Sequence, residues 1–238
     1  MFLVSFYSQI VMEKINIVLA KSALELIPKE IINHPVIKKW AERRKKNPEK
    51  MLLDISYHYA AMKKLKDWDK RGRPDIVHIT LLNLLGSPLN EEGFLQTFVH
   101  TINDFLIIIN PEINLPRNYL RFLGLIEQLF EIGRVPPKGK WLMKIERKNL
   151  RELIEEIKPT TTIILTEKGK RMQIEEFGKK IIQEENPLII IGGFQRGEFS
   201  EEDFKLANEK ISVYKKSLDT WIIASMIVCE IGRLLKIV

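Results

Sequence analysis

The stretch Thr160–Gly197, TTTIILTEKGKRMQIEEFGKKIIQEENPLIIIGGFQRG, decides the fold. Thr161–Leu165 is a continuous apolar run bounded by charge and reads as a strand. Gln173–Gln183 reads as a helix, and Leu188–Ile191 as a second strand that ends on Gly192-Gly193. Runs of Ile, Leu, Val and Thr with no polar alternation are what a parallel sheet covered on both faces requires. The alternation continues downstream, with a short helix at Glu201–Leu206, a strand at Lys210–Val213 and a long helix at Ser217–Leu234. The predicted class is therefore α/β, a mostly parallel sheet with helices on both faces.

Working back toward the N-terminus, Leu150–Ile157 reads as a helix and Trp141–Ile145 as a strand, after a Pro/Gly-rich stretch at Val135–Lys140. Pro116–Phe130 is a helix whose first position suits proline. Tyr119, Phe122, Ile126 and Leu129 share its apolar face, and Arg117 and Arg121, four apart, present two guanidinium forks from the opposite face. Leu95–Val99 and Phe105–Ile109 are β-like, and a helix from Asp75, read as its cap, runs through Leu85. Val36–Lys46 is a basic helix stopped by Asn47-Pro48. Leu52–Asp54 suggests a short strand, Ile15–Ala20 a strand, and Ser22 the cap of a helix reaching Ile32. The organisation expected is an extension at residues 1–14 and one domain at 15–238, with its cofactor-binding part at about 160–238.

The 238 residues carry a net charge of +7, with 29% charged and 45% hydrophobic residues, a globular composition. The excess is concentrated: between Lys38 and Arg73 there are 13 basic and 5 acidic residues, so the rest of the chain is close to neutral. A concentrated excess suits an anionic partner, nucleic acid being the usual one, and equally describes a helix with its charges facing water. One cysteine, Cys229, allows no intrachain disulfide and no zinc set, in keeping with a reducing cytosol. The apolar Met1–Met12 has no basic leader and is too short for a membrane helix. A soluble, cytoplasmic chain with no metal and no membrane partner is expected. His34, His58, His78 and His100 have no ligand spacing and read as structural.

Two loops carry chemistry. Gly192-Gly193-Phe194-Gln195-Arg196-Gly197 follows a strand but lacks dinucleotide and Walker spacings. It is either a tight turn or a ligand loop at the carboxyl end of a parallel strand. In Arg71-Gly72-Arg73-Pro74-Asp75, charged side chains project from backbone fixed by Gly and Pro; Asp75 is a helix cap, a site residue, or both.

These residues bring a family into view. Gly72-Arg73-Pro74-Asp75-Ile76-Val77-His78, followed by Leu85-Gly86-Ser87-Pro88-Leu89-Asn90, resembles the signature of the small-subunit rRNA pseudouridine N1-methyltransferases. This group, of the SPOUT class, is also called the essential for mitotic growth or nucleolar essential protein family. Leu115–Leu125 is similar to its second block, and Ile191–Gly197 and Ile211–Leu218 to its two cofactor loops. The resemblance implies an α/β fold with a C-terminal trefoil knot, a homodimer, and S-adenosylmethionine as methyl donor. The acceptor it implies is N1 of a pseudouridine in a small-subunit rRNA hairpin loop, modified during ribosome biogenesis.

Carried over by motif, Arg73, Asp75, Arg117 and Arg121 contact RNA, while Gly192, Gly197, Val213, Tyr214, Lys215, Lys216, Ser217 and Leu218 bind cofactor. Asp75 is the catalytic candidate, as proton acceptor for the acceptor N–H, as the group that orients the base, or as the partner that holds Arg73. The family usually has a further arginine three residues before Arg117, where Asn114 stands here. That phosphate contact is not carried over, and the basic run Lys38–Lys50 is its candidate replacement. The second reading is an RNA-binding ribosome assembly factor whose methylation is secondary or lost.

Overall fold

A computed structural model describes residues 11–238. Among them, eight strands form one sheet: β1 (Ile15–Ser22), β2 (Leu95–Thr101), β3 (Phe105–Ile109), β4 (Arg134–Val135), β5 (Met143–Arg147), β6 (Thr162–Arg171), β7 (Leu188–Gly192) and β8 (Glu209–Ser212). Their order is β4-β5-β3-β2-β1-β7-β6-β8. Strands β2, β1, β7, β6 and β8 run parallel, and β3, β5 and β4 add an antiparallel flank. The mostly parallel reading holds for the C-terminal strands that carried it. The flank arises because β2 returns through a tight connection into β3, which forces an antiparallel pair.

Nine helices occur among the described residues: α1 (Pro35–Arg44), α2 (Ile55–Met62), α3 (Pro74–Leu85), α4 (Pro88–Glu91), α5 (Tyr119–Ile132), α6 (Leu150–Ile157), α7 (Ile174–Ile181), α8 (Glu201–Phe204) and α9 (Thr220–Leu234). Side chains of β1 and β7 alternate between two cores. Ile15, Ile17, Leu19, Ile189 and Ile191 join α3, α5, α7 and α9, whereas Val18, Ala20, Leu188 and Ile190 join α6 and α8. A third, smaller core of Ile37, Ala41, Met51, Leu53, Ala61 and Met62 sits under α1 and α2, so this helical insert packs around apolar contacts of its own.

Several boundaries differ from the sequence reading. Ser22 does not cap a helix: it ends β1, its hydroxyl donates to the Leu19 carbonyl, and between β1 and α1 the helical piece is a 3-10 turn at Lys29–Ile31. Leu52–Asp54 is not a strand; Leu52 makes a lone bridge to Leu26, and Asp54 caps α2, which the sequence reading did not find. The arginine helix starts at Tyr119, not Pro116, because the Asn118 side chain accepts the Arg121 N–H and makes a better cap. Asp75 is inside the first turn of α3 and does not cap it. Of the apolar stretch Met1–Met12, all but Val11 and Met12 lies outside the described residues; these two donate backbone hydrogen bonds to the Ile182 carbonyl.

Candidate active site

Beyond the carboxyl ends of β6, β7 and β8 lies a cleft of about 750 Å³, within the range of small-molecule sites. Its walls come from the end of β7 (Gly192), the β7–α8 loop (Phe194, Gly197), the β8–α9 loop (Val213 to Asp219 without Lys215) and the first turn of α9. Of the eight residues assigned to cofactor, Gly192, Gly197, Val213, Tyr214, Lys216, Ser217 and Leu218 line it. Lys215 belongs to the same loop but is exposed and outside the wall.

Hydrogen bonds fix both loops. The Thr220 hydroxyl donates to the Gly192 carbonyl at 2.7 Å, and the Ser212 hydroxyl donates to the Tyr214 carbonyl at 2.7 Å. Gly197 has φ +102, a conformation closed to other residues at reasonable energy, and the Lys70 side chain lies over the place a Cβ would take. Sequence reasoning missed Thr166, Glu167 and Lys168, which bulge from β6 where its register against β8 slips after Leu165. Thr166 and Lys168 both bond to Glu198 and so strap the bulge to the glycine loop. No local sequence signal marks such a slip.

Arg73 and Ile76 reach the same cleft from α3. The Arg73 backbone N–H donates to the Ala23 carbonyl at 2.9 Å. Its guanidinium donates to Asp75 through Nε at 2.8 Å and Nη2 at 2.6 Å, a bidentate pair that raises the arginine pKa above its usual value. Gly72 permits this approach: it sits at φ +62, packed against Met62 and Leu53, and its carbonyl accepts the Ile55 N–H. Asp75 itself does not line the cleft.

Two bonds draw the start of α5 against the α2 cap and the first turns of α3. Tyr119 Oη donates to Asp54 Oδ2 at 2.5 Å, and His78 Nε2 lies 2.7 Å from the Pro116 carbonyl with its ring stacked on Phe122. Burial raises the Asp54 and Tyr119 pKa values, the tyrosine further so because the Asp54 charge lies beside it. Asp54 also caps α2, and its backbone N–H donates to His58 Nδ1 at 3.0 Å. Burial holds His58 down to about 4.

Arg117 and Arg121 are both exposed, and among the described residues neither side chain has a partner. They do not share one helix face as the spacing suggested: Arg117 precedes the Asn118 cap, and Arg121 is in the first turn. The segment that carries them is held to α3 by the His78–Pro116 contact and to the α2 cap by the Tyr119–Asp54 bond.

The charge concentration divides in two. Glu127 of α5, 2% exposed, accepts from both Arg44 nitrogens at 2.6 and 3.0 Å, from Lys46 at 2.6 Å and from the Leu52 N–H at 3.2 Å. Lys50 pairs with Glu131 and Arg71 with Glu25. Three cations of the run Lys38–Lys50 thus tie the insert to α5. Lys38, Lys39, Arg43 and Lys45, together with Lys63, Lys64, Lys66 and Lys70, are exposed and pair with no carboxylate among the described residues. The histidines have structural partners, His34 as the cap of α1 and His100 beside Asp104. No group of three metal-ligating side chains occurs among the described residues, and no described helix is long and apolar enough to cross a membrane.

The profile of the EMG1/NEP1 methyltransferase family matches residues 17–232. The ribosomal RNA small subunit methyltransferase Nep1 of Thermococcus onnurineus is 48% identical over 214 residues, 90% of this chain and 96% of its own. The protein of the same name from Staphylothermus marinus is 46% identical over 227 residues, 95% of this chain and 98% of its own. Archaeoglobus fulgidus Nep1, solved bound to S-adenosylhomocysteine, superposes with a TM-score of 0.83 at 37% identity, covering 94% of this chain and 99% of that one. With a glycine-loop cleft at the strand ends, a clamped arginine in its wall and relatives of this similarity over nearly its whole length, the chain belongs to the EMG1/NEP1 methyltransferase family.

Proposed function

We propose that the chain methylates N1 of a pseudouridine in a small-subunit rRNA hairpin loop, with S-adenosylmethionine as donor, in the course of ribosome biogenesis. The observation that carries this reading is Arg73, clamped by Asp75, in the wall of the cleft built by the two glycine-bearing loops. Relatives named as rRNA small subunit methyltransferases, and a structural relative bound to S-adenosylhomocysteine, support the substrate class and the cofactor.

The cleft suits that cofactor. Leu165, Ile191, Ile211 and Leu218 offer an apolar slot for a flat ring, and Glu167 and Ser217 offer polar groups beside it. Gly192, Gly197 and the segment Val213–Leu218 would hold it. When bound, it supplies a methyl group on a sulfonium centre, activated toward a nitrogen nucleophile. The protein's own part is positional, since alignment of reacting atoms accounts for much of such a rate enhancement. Arg73 holds the flipped base at the cleft wall. Asp75, whose oxygens keep lone pairs beyond those given to Arg73, accepts the N1 proton or orients the base through it. Arg117 and Arg121 contact backbone phosphates of the loop, where bases unstack and can be read.

The strands and loops around this cleft are read as the trefoil-knotted part of the chain, within a single domain spanning 15–238. The homodimer is assigned to the outer faces of α3 and α9, which pack side by side and expose Ile79 and Ile222, 39% and 42% accessible. Mass spectrometry of a pseudouridine-containing hairpin incubated with protein and S-adenosylmethionine tests the reading: a methyl gain on pseudouridine and none on the uridine version is expected. Calorimetric absence of cofactor binding would leave only the assembly-factor role.

A further inference from the structure

We infer that the α2 corner of the insert, built on Tyr59 and Trp68, is a second RNA subsite that stacks an unpaired base flanking the target hairpin; this rests on the rRNA reading above. Tyr59 is 47% exposed, an unusual state for an aromatic side chain on a helix with its own small core beneath it. Trp68 meets it edge-on at 5.5 Å between centroids, which holds the tyrosine ring upright. The Lys63 ammonium lies 4.6 Å over the tyrosine ring, so a cation already marks the face that a base would take.

The surroundings suit a polyanion. Lys63, Lys64, Lys66 and Lys70 are exposed and pair with no carboxylate among the described residues, against Asp67 and Asp69 on the same corner. This differs from the cations nearer α5, which Glu127 and Glu131 neutralise. The corner is also next to the cleft. Two residues beyond Trp68, the Lys70 side chain runs over Gly197 of the glycine loop. A strand leaving a base in the cleft would pass Lys70 and reach Tyr59, where Lys63 can exchange the ring for a phosphate. Stacking with cationic support is how unpaired nucleotides are bound without a sequence code.

The test compares three RNAs: the bare hairpin, the hairpin with short single-stranded extensions, and the same hairpin with abasic extensions. The natural extension should tighten binding about tenfold over the bare hairpin, the increment typical of one stacked base. Tyr59→Ala should abolish that gain, Tyr59→Phe should keep it, and both should bind and methylate the bare hairpin like the parent. Equal binding of bare and extended RNA by the parent would overturn the inference, as would abasic extensions that bind as tightly as natural ones. Loss of bare-hairpin methylation by the parent protein would instead refute the rRNA reading itself.

Discussion

His58 offers a prediction whose size follows from its surroundings. Its side chain is fully buried, Nδ1 accepts the Asp54 backbone N–H at 3.0 Å, and Nε2 has no partner. The folded protein therefore keeps the ring neutral down to about pH 4, against an ordinary value of 6.5. Between those two values the unfolded chain binds a proton that the folded chain refuses, so stability rises with pH across this window and is lost as pH falls through it. Each pH unit crossed in this window is worth about 1.4 kcal/mol, so His58 removes roughly 2.5 kcal/mol of stability between about pH 7 and about pH 4.5. His58→Asn keeps an acceptor near the Nδ1 position and removes the titration. Urea unfolding of both proteins at a series of pH values measures the difference. The variant should start less stable at neutral pH, because the smaller side chain leaves space in a packed interior, yet lose roughly 2.5 kcal/mol less on acidification. His78 and His100, also lowered by burial, remain in both proteins and leave a common residual slope. Parallel pH curves for parent and variant would refute the reasoning, for then His58 would not be the buried neutral ring that anchors Asp54.

Three further outcomes are expected of the site. Arg117→Ala and Arg121→Ala should each weaken RNA binding and lower the slope of log affinity against log salt by about one unit; filter binding at several ionic strengths that finds parental slopes would remove both from the phosphate path. Asp75→Asn should reduce turnover far more than RNA affinity, and equal losses in the two measurements would make Asp75 only the clamp of Arg73. Gly197→Val forces a branched side chain into φ +102 against the Lys70 stem, so calorimetry should show weakened S-adenosylmethionine binding with RNA binding near normal; the reverse pattern would move the cofactor site elsewhere.

The C-terminal half of the fold was legible because its strands are continuous apolar runs closed by Gly, Pro or charge, a pattern few other structures satisfy. Seven of the eight residues assigned to cofactor line one cleft for the same reason: loops after parallel strands converge. The insert was harder. The α2 sequence ISYHYAAM shows no clean polar stripe, because its cap Asp54 and Tyr57 are engaged by α5 and α1, and His58 by the Asp54 backbone, rather than by the sheet. Proline at position 116 suggested a helix start, but its carbonyl is claimed by His78, 38 residues away. The Glu127 contacts with Arg44 and Lys46 bridge more than eighty residues. Local spacing cannot report such partners, and they turn a basic run that read as either a nucleic-acid surface or a solvated face into part fastening, part surface.

The left-handed turn at Gly72 has a bearing on how this protein can vary. A methyl group there would press on the Met62 and Leu53 side chains and meet the strain of φ +62 at once. The lost hydrogen bond to Ile55 would release the chain just before the guanidinium that faces the cleft. Drift at an uncharged, chemically inert position would thus disable the pocket as surely as replacing the arginine, and a screen confined to ionisable groups would never detect it.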